Sequence, residues 1–433
     1  MNHKSSSLFF SKNLTKAVVR NLLFWERVDW ILLLLVIGLI GLGSLTIYSI
    51  ELADSLEHSY QHLSVGFVGL FLAIAIARFN YRDLLKLHWL IYLITNISLL
   101  IVMLAGASAK GAQRWITIAG FNIQPSEFAK IAVIITLAAL LHNRNAKNFS
   151  TVARTLAITA VPWSLVFFQP DLGTSLVFGI IVLTMLYWAN TDPVWILLVI
   201  SPLISTVVFH LSLPLWLIWI VVLVAIVFIT QPFRVISTLS TLIVNLGAVE
   251  LGRVFWKLLR DYQKDRLILF LNPEQDPWGG GYHLIQSRIA IGSGRLWGTG
   301  LYEGSQTQLN FIPEQHTDFV FSAIGEEWGF MGCLVLLGIF WVLCWRLIGI
   351  ANGATDNFGS LLAIGVLSMV AFQVIINISM TVGLAPITGI PLPFMSYGRS
   401  SLLSSLIAIG LVESVSNNRE TIRILFEKGK GKR

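Results

Sequence analysis

The chain has 433 residues, 55% of them hydrophobic and only 12% charged, with a formal net charge of +7. A soluble globular domain carries about 25% charged residues. Half that, with long apolar runs, excludes the soluble class and leaves a polytopic membrane protein.

The first 28 residues carry Lys4, Lys12, Lys16, Arg20 and Arg27. The apolar run that follows, Val28 to Ile50, outlasts the roughly 7–15 residues of a signal-peptide core, and no small-residue cleavage site ends it. It reads as a first transmembrane helix with a cytoplasmic N-terminus. A span needs about 20 apolar residues. By that rule further spans fall at 60–77, 84–104, 125–142, 151–168, 172–189, 194–211, 213–230, 234–256, 326–348, 358–378 and 399–416. The spacing therefore predicts an all-α membrane protein of about 10–12 helices, with one large loop, 257–325, before the last three. Glu250 and Arg253 make 234–256 the weakest span, and only Ser-Leu-Pro joins 194–211 to 213–230. No soluble domain or repeat of obvious period is attached, so residues 1–433 read as a single membrane unit. Cys333 and Cys344 both lie in one apolar run, which argues against a disulfide framework or a metal site.

Sidedness follows from the short basic connections at 78–86, 142–147, 231–234 and 346–357 and from the basic tail 417–433. All fall inside if the N-terminus does, as the positive-inside rule requires. The acidic stretch "ELADSLEHS" and the segments 105–124 and 257–325 then lie outside. The last holds Lys257, Arg260, Lys264, Arg266, Arg288 and Arg295. A basic surface beside a membrane favours an anionic partner; scattered solvated charge is the plainer alternative.

Several constellations carry candidate chemistry. In "QPSEFAK", Pro125 suits a first helical turn, with Asn122 or Ser126 as cap. Glu127 and Lys130 share one helical face. Lys130 then stands less than roughly 10 Å inside the helix end, where an ionisable residue faces a cavity or a partner. Such a lysine can hold a phosphate; the pair can equally lock packing. In "QPDLGTS" Asp171 reads as a helix cap. The glycine-rich "GGGYHLIQSRIAIGSGRLWGTGLYEG" matches neither nucleotide fingerprint, so tight turns or re-entrant backbone lining a wet cavity account for it better. In "NFIPEQHTDFVFSAIGEEWGF", Glu314, His316 and Asp318 alternate, and an extended chain would point all three one way. Asp318 meets Phe-Val-Phe at once, where apolar walls raise a carboxyl's proton affinity and nearby cations lower it. It can serve as a general base or cap a helix. The same residues match no standard metal-ligand spacing.

The segments "QRWITIAGFNIQPSEFAK", "QPDLGTS", "LIQSRIAIGSGRLWGTGLYEGSQTQLNFIPEQHTDFVFSAIGEEWGF" and "GIPLPFMSYGRSS" together resemble the signature segments of the SEDS proteins. That family holds the rod-shape RodA, division FtsW and sporulation SpoVE proteins. They occur in family order over 110–180 and 262–414, and "GSQTQLNFIPEQHTDFVFS" is most similar to the rod-shape branch. The resemblance implies a plasma-membrane peptidoglycan glycosyltransferase that polymerises lipid II outside the cell during elongation. Its substrate is a disaccharide-pentapeptide on undecaprenyl pyrophosphate, and its partner a monofunctional class B penicillin-binding protein, with surrounding membrane lipid and no nucleic acid. The resemblance makes Asp318 the catalytic residue and gives Arg114, Glu127 and Lys130 importance. Arg266, Glu314 and His316 join them as candidate substrate contacts. No resident cofactor is implied; a divalent cation, magnesium or manganese, would assist. Two departures stand out. The pair 194–230 exceeds the family's usual ten spans, and Arg399 occupies a usual glycine, which strains the backbone if that position needs a positive φ. A division polymerase, a lipid II flippase and a recruiting scaffold are the rival readings.

Overall fold

The computed structural model describes residues 27–52, 56–109, 112–118, 120–143, 148–231, 233–259 and 261–430. Lys4, Lys12, Lys16, Arg20 and Arg260 lie outside the described residues. A helix stands at each of the twelve expected places: α1 (Trp30–Ile50), α2 (Glu57–Arg78), α3 (Leu84–Ala105), α4 (Pro125–Leu141), α5 (Phe149–Phe168), α6 (Leu172–Trp188), α7 (Pro193–Leu211), α8 (Leu213–Thr230), α9 (Arg234–Leu258), α14 (Gly329–Asn352), α15 (Asn357–Val382) and α16 (Arg399–Lys430). Ten of them are long and apolar enough to cross a membrane; α4 and α6 have 17 residues each, at the lower limit for a span. The chain is a multi-pass membrane protein.

The large loop is not bare. It carries α10 (Asp261–Leu271), α11 (Tyr282–Ser293), the single turn α12 (Ser305–Gln308) and α13 (Val320–Glu327). The span expected to start at 326 starts at Gly329, because the chain bends there at φ +65°. Glycine is required: an added Cβ would stand 2.2 Å from the Gly298 nitrogen. The segment after α3 was expected only to lie outside the membrane, in an all-α chain. It forms an antiparallel ribbon instead, β1 (Ala107–Ala109), β2 (Ala112–Ile118) and β3 (Phe121–Ile123), paired in that order. The last span does not stop near 416 but runs on as helix to Lys430.

The core lies between α4, α6, α15 and α16, where Ile134, Phe178, Leu362 and Ile409 are wholly enclosed. Close packing of this kind holds neighbouring side chains to fixed positions. By contrast α7, α8 and α9 pack chiefly on one another. Asn245 glues them, donating to Ser201 Oγ at 3.1 Å and accepting from Ser205 Oγ at 2.8 Å. Such bonds replace the hydrophobic drive that lipid cannot supply between helices. The pair 194–230 thus belongs to a three-helix unit beside the core.

Candidate active site

At one end of the core, the ribbon, the large loop and the segment 383–401 close over α4 and α6. They enclose a cavity of about 670 Å³ lined by Arg114, Lys130, Asp171, Arg266 and Asp318, among others. Five segments remote in sequence contribute, so only the folded chain makes this site.

Asp318 sits on a compact turn, not on an extended strand. Glu314 adopts a left-handed φ of +57°, and its carbonyl accepts from the backbone nitrogens of Thr317 and Asp318, each at 3.1 Å. The expected alternation therefore fails. Glu314, Thr317 and Asp318 line the cavity, while His316 does not. His316 stacks instead on His58, with ring centroids 4.6 Å apart. Asn377, buried in α15, donates to the Asp318 carbonyl at 2.9 Å and to the Ile390 carbonyl at 2.8 Å. One amide thereby ties the turn to the segment before α16. Gly389, at φ +70°, faces both Asp318 and Arg266: a Cβ there would lie 3.5 Å from Asp318 Oδ2 and 3.7 Å from Arg266 Nη1. The carboxylate and this guanidinium thus converge on one spot.

Pro125 opens α4 as expected, but the cap position is Gln124, without a side-chain bond; neither Asn122 nor Ser126 caps it. Glu127 and Lys130 follow on the buried face, 3% and 1% exposed. Lys130 Nζ donates to Glu127 Oε2 at 2.8 Å, and Ser404 of α16 donates to the same oxygen at 3.3 Å. Both residues also line the cavity, so the pair packs the helices and faces the cavity at once.

Arg114, on β2, donates through Nε to the Gln169 carbonyl at 3.3 Å and also to the Pro170 carbonyl. Its Nη1 lies 3.8 Å from Asp171 Oδ1. Asp171 does cap α6, accepting from the Thr174 nitrogen at 3.3 Å. It also accepts from the Gln124 amide at 3.0 Å and faces the cavity. A cap reading alone undervalued it, and its place inside a signature segment was the available clue. Asn377 was missed altogether; its signal was a lone amide near the end of an apolar span. Of the loop's basic residues, Arg266 lines the cavity, whereas Arg288 donates to the Gly383 carbonyl at 3.2 Å.

The two glutamates after the turn are structural. Glu326 accepts from the Gln306 and Thr307 nitrogens, each at 2.8 Å, and so caps α12. Glu327 accepts from the Ser49 hydroxyl. Burial pushes the Glu327 carboxyl up to about 7, although that hydroxyl opposes the shift. Arg399 shows no strain: it opens α16 without a positive φ, and its guanidinium carbon lies 5.5 Å from the Phe121 ring centre. Among the described residues no three His, Cys, Asp or Glu side chains come together as metal ligands.

The chain matches the family model of the cell cycle proteins FtsW, RodA and SpoVE over residues 26–217 and 215–421. The two matched stretches meet in α8, inside that three-helix unit. It is 34% identical to the peptidoglycan glycosyltransferase RodA of Treponema pallidum, covering 90% of this chain and 97% of that one. It is 33% identical to the peptidoglycan glycosyltransferase MrdB of Escherichia coli, covering 92% and 96%. A solved structure described as the structural coordination of polymerization and crosslinking by a peptidoglycan synthase complex superposes with a TM-score of 0.68. That match is at 27% identity, over 90% of this chain and 98% of that one. Signature segments, helical core and end-on cavity together place this chain in the FtsW/RodA/SpoVE family.

Proposed function

We infer that this membrane protein is a peptidoglycan glycosyltransferase that polymerises lipid II for elongation of the cell and maintenance of its rod shape. The observation that carries the site assignment is the convergence of Asp318 and Arg266 on Gly389, in one cavity with Arg114 and Lys130. Asp318 accepts the proton of the acceptor N-acetylglucosamine 4-hydroxyl. The freed oxygen pair attacks the anomeric carbon of the donor N-acetylmuramic acid, with inversion. The bond to undecaprenyl pyrophosphate breaks, and that group leaves with the electron pair. Arg266, Lys130 and Arg114 offset its growing negative charge, most effectively where water is excluded. A bound divalent cation, magnesium or manganese, would add to the same offset of charge.

The cavity faces the outside of the plasma membrane in this reading, and both termini lie in the cytoplasm. Support comes from the basic short connections on the opposite side. A class B penicillin-binding protein is the proposed partner, supported by likeness to a complex that couples polymerization to crosslinking.

Purified protein with lipid II tests the reading. Asp318→Asn should lower strand synthesis by about 10²-fold or more, the contribution of a general base. Strand synthesis at the unaltered rate would remove Asp318 from the chemistry. In sealed vesicles, labelled lipid II that crosses the bilayer without being lengthened would establish a flippase instead.

A further inference from the structure

A second cavity, of about 560 Å³, adjoins the catalytic one, and Glu314 lines both. Its other walls include Glu51, His58, Asn310, Gln315 and His316. The two cavities differ in charge. Arg114, Lys130 and Arg266 line the catalytic one, which suits a pyrophosphate. No lysine or arginine lines the second among the described residues, so it offers a pyrophosphate nothing.

What it does offer suits a neutral sugar. His58 and His316 are stacked at 4.6 Å with 26° between their planes. Tyr397, which lines the catalytic cavity, closes on His58 edge-on at 4.5 Å. The Glu51 carboxylate, at the end of α1, pairs with His58 Nδ1 and accepts from the Ser59 nitrogen at 3.0 Å, which ties the ring and the first turn of α2 to α1. The His58 side chain keeps 36% of its surface exposed. The electron-rich face of such a ring attracts the positively polarised C–H face of a pyranose. Carboxylate and amide side chains from Glu51, Glu314 and Asn310 stand beside the apolar Ile50, Ile312 and Pro313, a mixture that matches the hydroxyls and C–H faces of a sugar.

A polymerase must hold the strand already made as well as the incoming unit. We propose that the cavity beside His58 and His316 is a carbohydrate subsite for the growing glycan strand, holding a sugar distal to the bond being formed. The inference rests on the polymerase reading. The subsite keeps the strand bound between additions, so it governs strand length more than the rate of each addition.

The test uses the full chain in lipid nanodiscs with lipid II, with products resolved by length. His58→Ala should shorten strands by roughly three- to tenfold, the size of one lost aromatic contact. The shortening should exceed any fall in the initial rate of lipid II consumption. His58→Phe, which keeps a stacking face, should restore length. Strands of unaltered length in His58→Ala would overturn the proposal, and so would length and rate falling by one common factor, which marks mere positioning of the Asp318 turn. Binding of a lipid-free peptidoglycan tetrasaccharide, measured calorimetrically, gives a readout independent of polymerisation. Unaltered protein should bind it and His58→Ala should bind it several-fold more weakly; equal binding, or none by the unaltered protein, overturns the subsite. Failure of the unaltered protein to make strands would instead count against the polymerase reading.

Discussion

Lys130 Nζ donates to Glu127 Oε2 across 2.8 Å, with both side chains almost wholly removed from solvent yet lining the candidate cavity. Breaking a buried pair by removing one partner leaves an uncompensated charge and costs about 3–5 kcal/mol. Lys130→Met and Glu127→Gln should each lower the thermal midpoint sharply. The double variant should recover much of that loss without recovering activity, because the charge proposed to offset the leaving pyrophosphate is gone. Thermal unfolding in detergent, beside the polymerisation assay, checks both halves. A double variant no more stable than either single one would show that the pair does not act as a unit.

Gly389 stands at φ +70° with Asp318 and Arg266 on either side of its missing side chain. Gly389→Ala forces a left-handed conformation that costs an L-residue about 1–2 kcal/mol. The new methyl also meets the Asp318 carboxylate at contact distance. Polymerisation should therefore fall by more than the loss of stability accounts for. Unaltered kcat in a destabilised protein would place Gly389 outside the site.

Glu327 gives the fold a pH dependence. Its carboxyl sits near 7 rather than its ordinary 4.5, chiefly through burial. The folded state therefore holds the proton more tightly than the unfolded chain does. The stabilisation is complete below 4.5 and is lost as pH rises through about 7. Between those values the thermal midpoint should decline. Glu327→Gln, which keeps the shape without the charge, should show a flatter decline over that window. Parallel curves for the two proteins would contradict the assignment.

Arg399 presents the opposite case. Its backbone is helical, so Arg399→Gly relieves nothing and removes the contact with Phe121. Exposed contacts of this type contribute about 0.5–1 kcal/mol. The midpoint should drop slightly and activity should persist. A stabilised Arg399→Gly protein would show that the arginine is strained after all.

Asn377 anchors the Asp318 turn through two carbonyls. Asn377→Leu should leave both carbonyls without that donor and loosen the turn, so the rate should fall even where the fold persists. The conservative Asn377→Asp keeps the shape but puts a carboxylate, which only accepts when ionised, in place of the donating amide, and should fail likewise. Full activity in either variant would detach this amide from the site.

The sequence by itself determined the parts that depend on local chemistry. Apolar runs of bilayer length sit at all twelve helices, because a backbone in lipid must satisfy its own hydrogen bonds. Pro125 at a helix start and Asp171 as a cap were equally legible, since each acts within one turn. Motif order was enough to single out Asp318, Arg114, Glu127 and Lys130. Only the tertiary structure decided which residues meet. Alternation along 314–318 predicted a shared face, yet the left-handed Glu314 curls the chain and sends His316 to His58, 258 positions away in sequence. The double role of Asp171 and the tether of Asn377 depend on partners in other helices. Whether Arg399 was strained depended on a dihedral that α16 sets. Local pattern fixes what each segment prefers; long-range packing fixes which side chains share a cavity, and the proposed chemistry of this protein depends on that sharing.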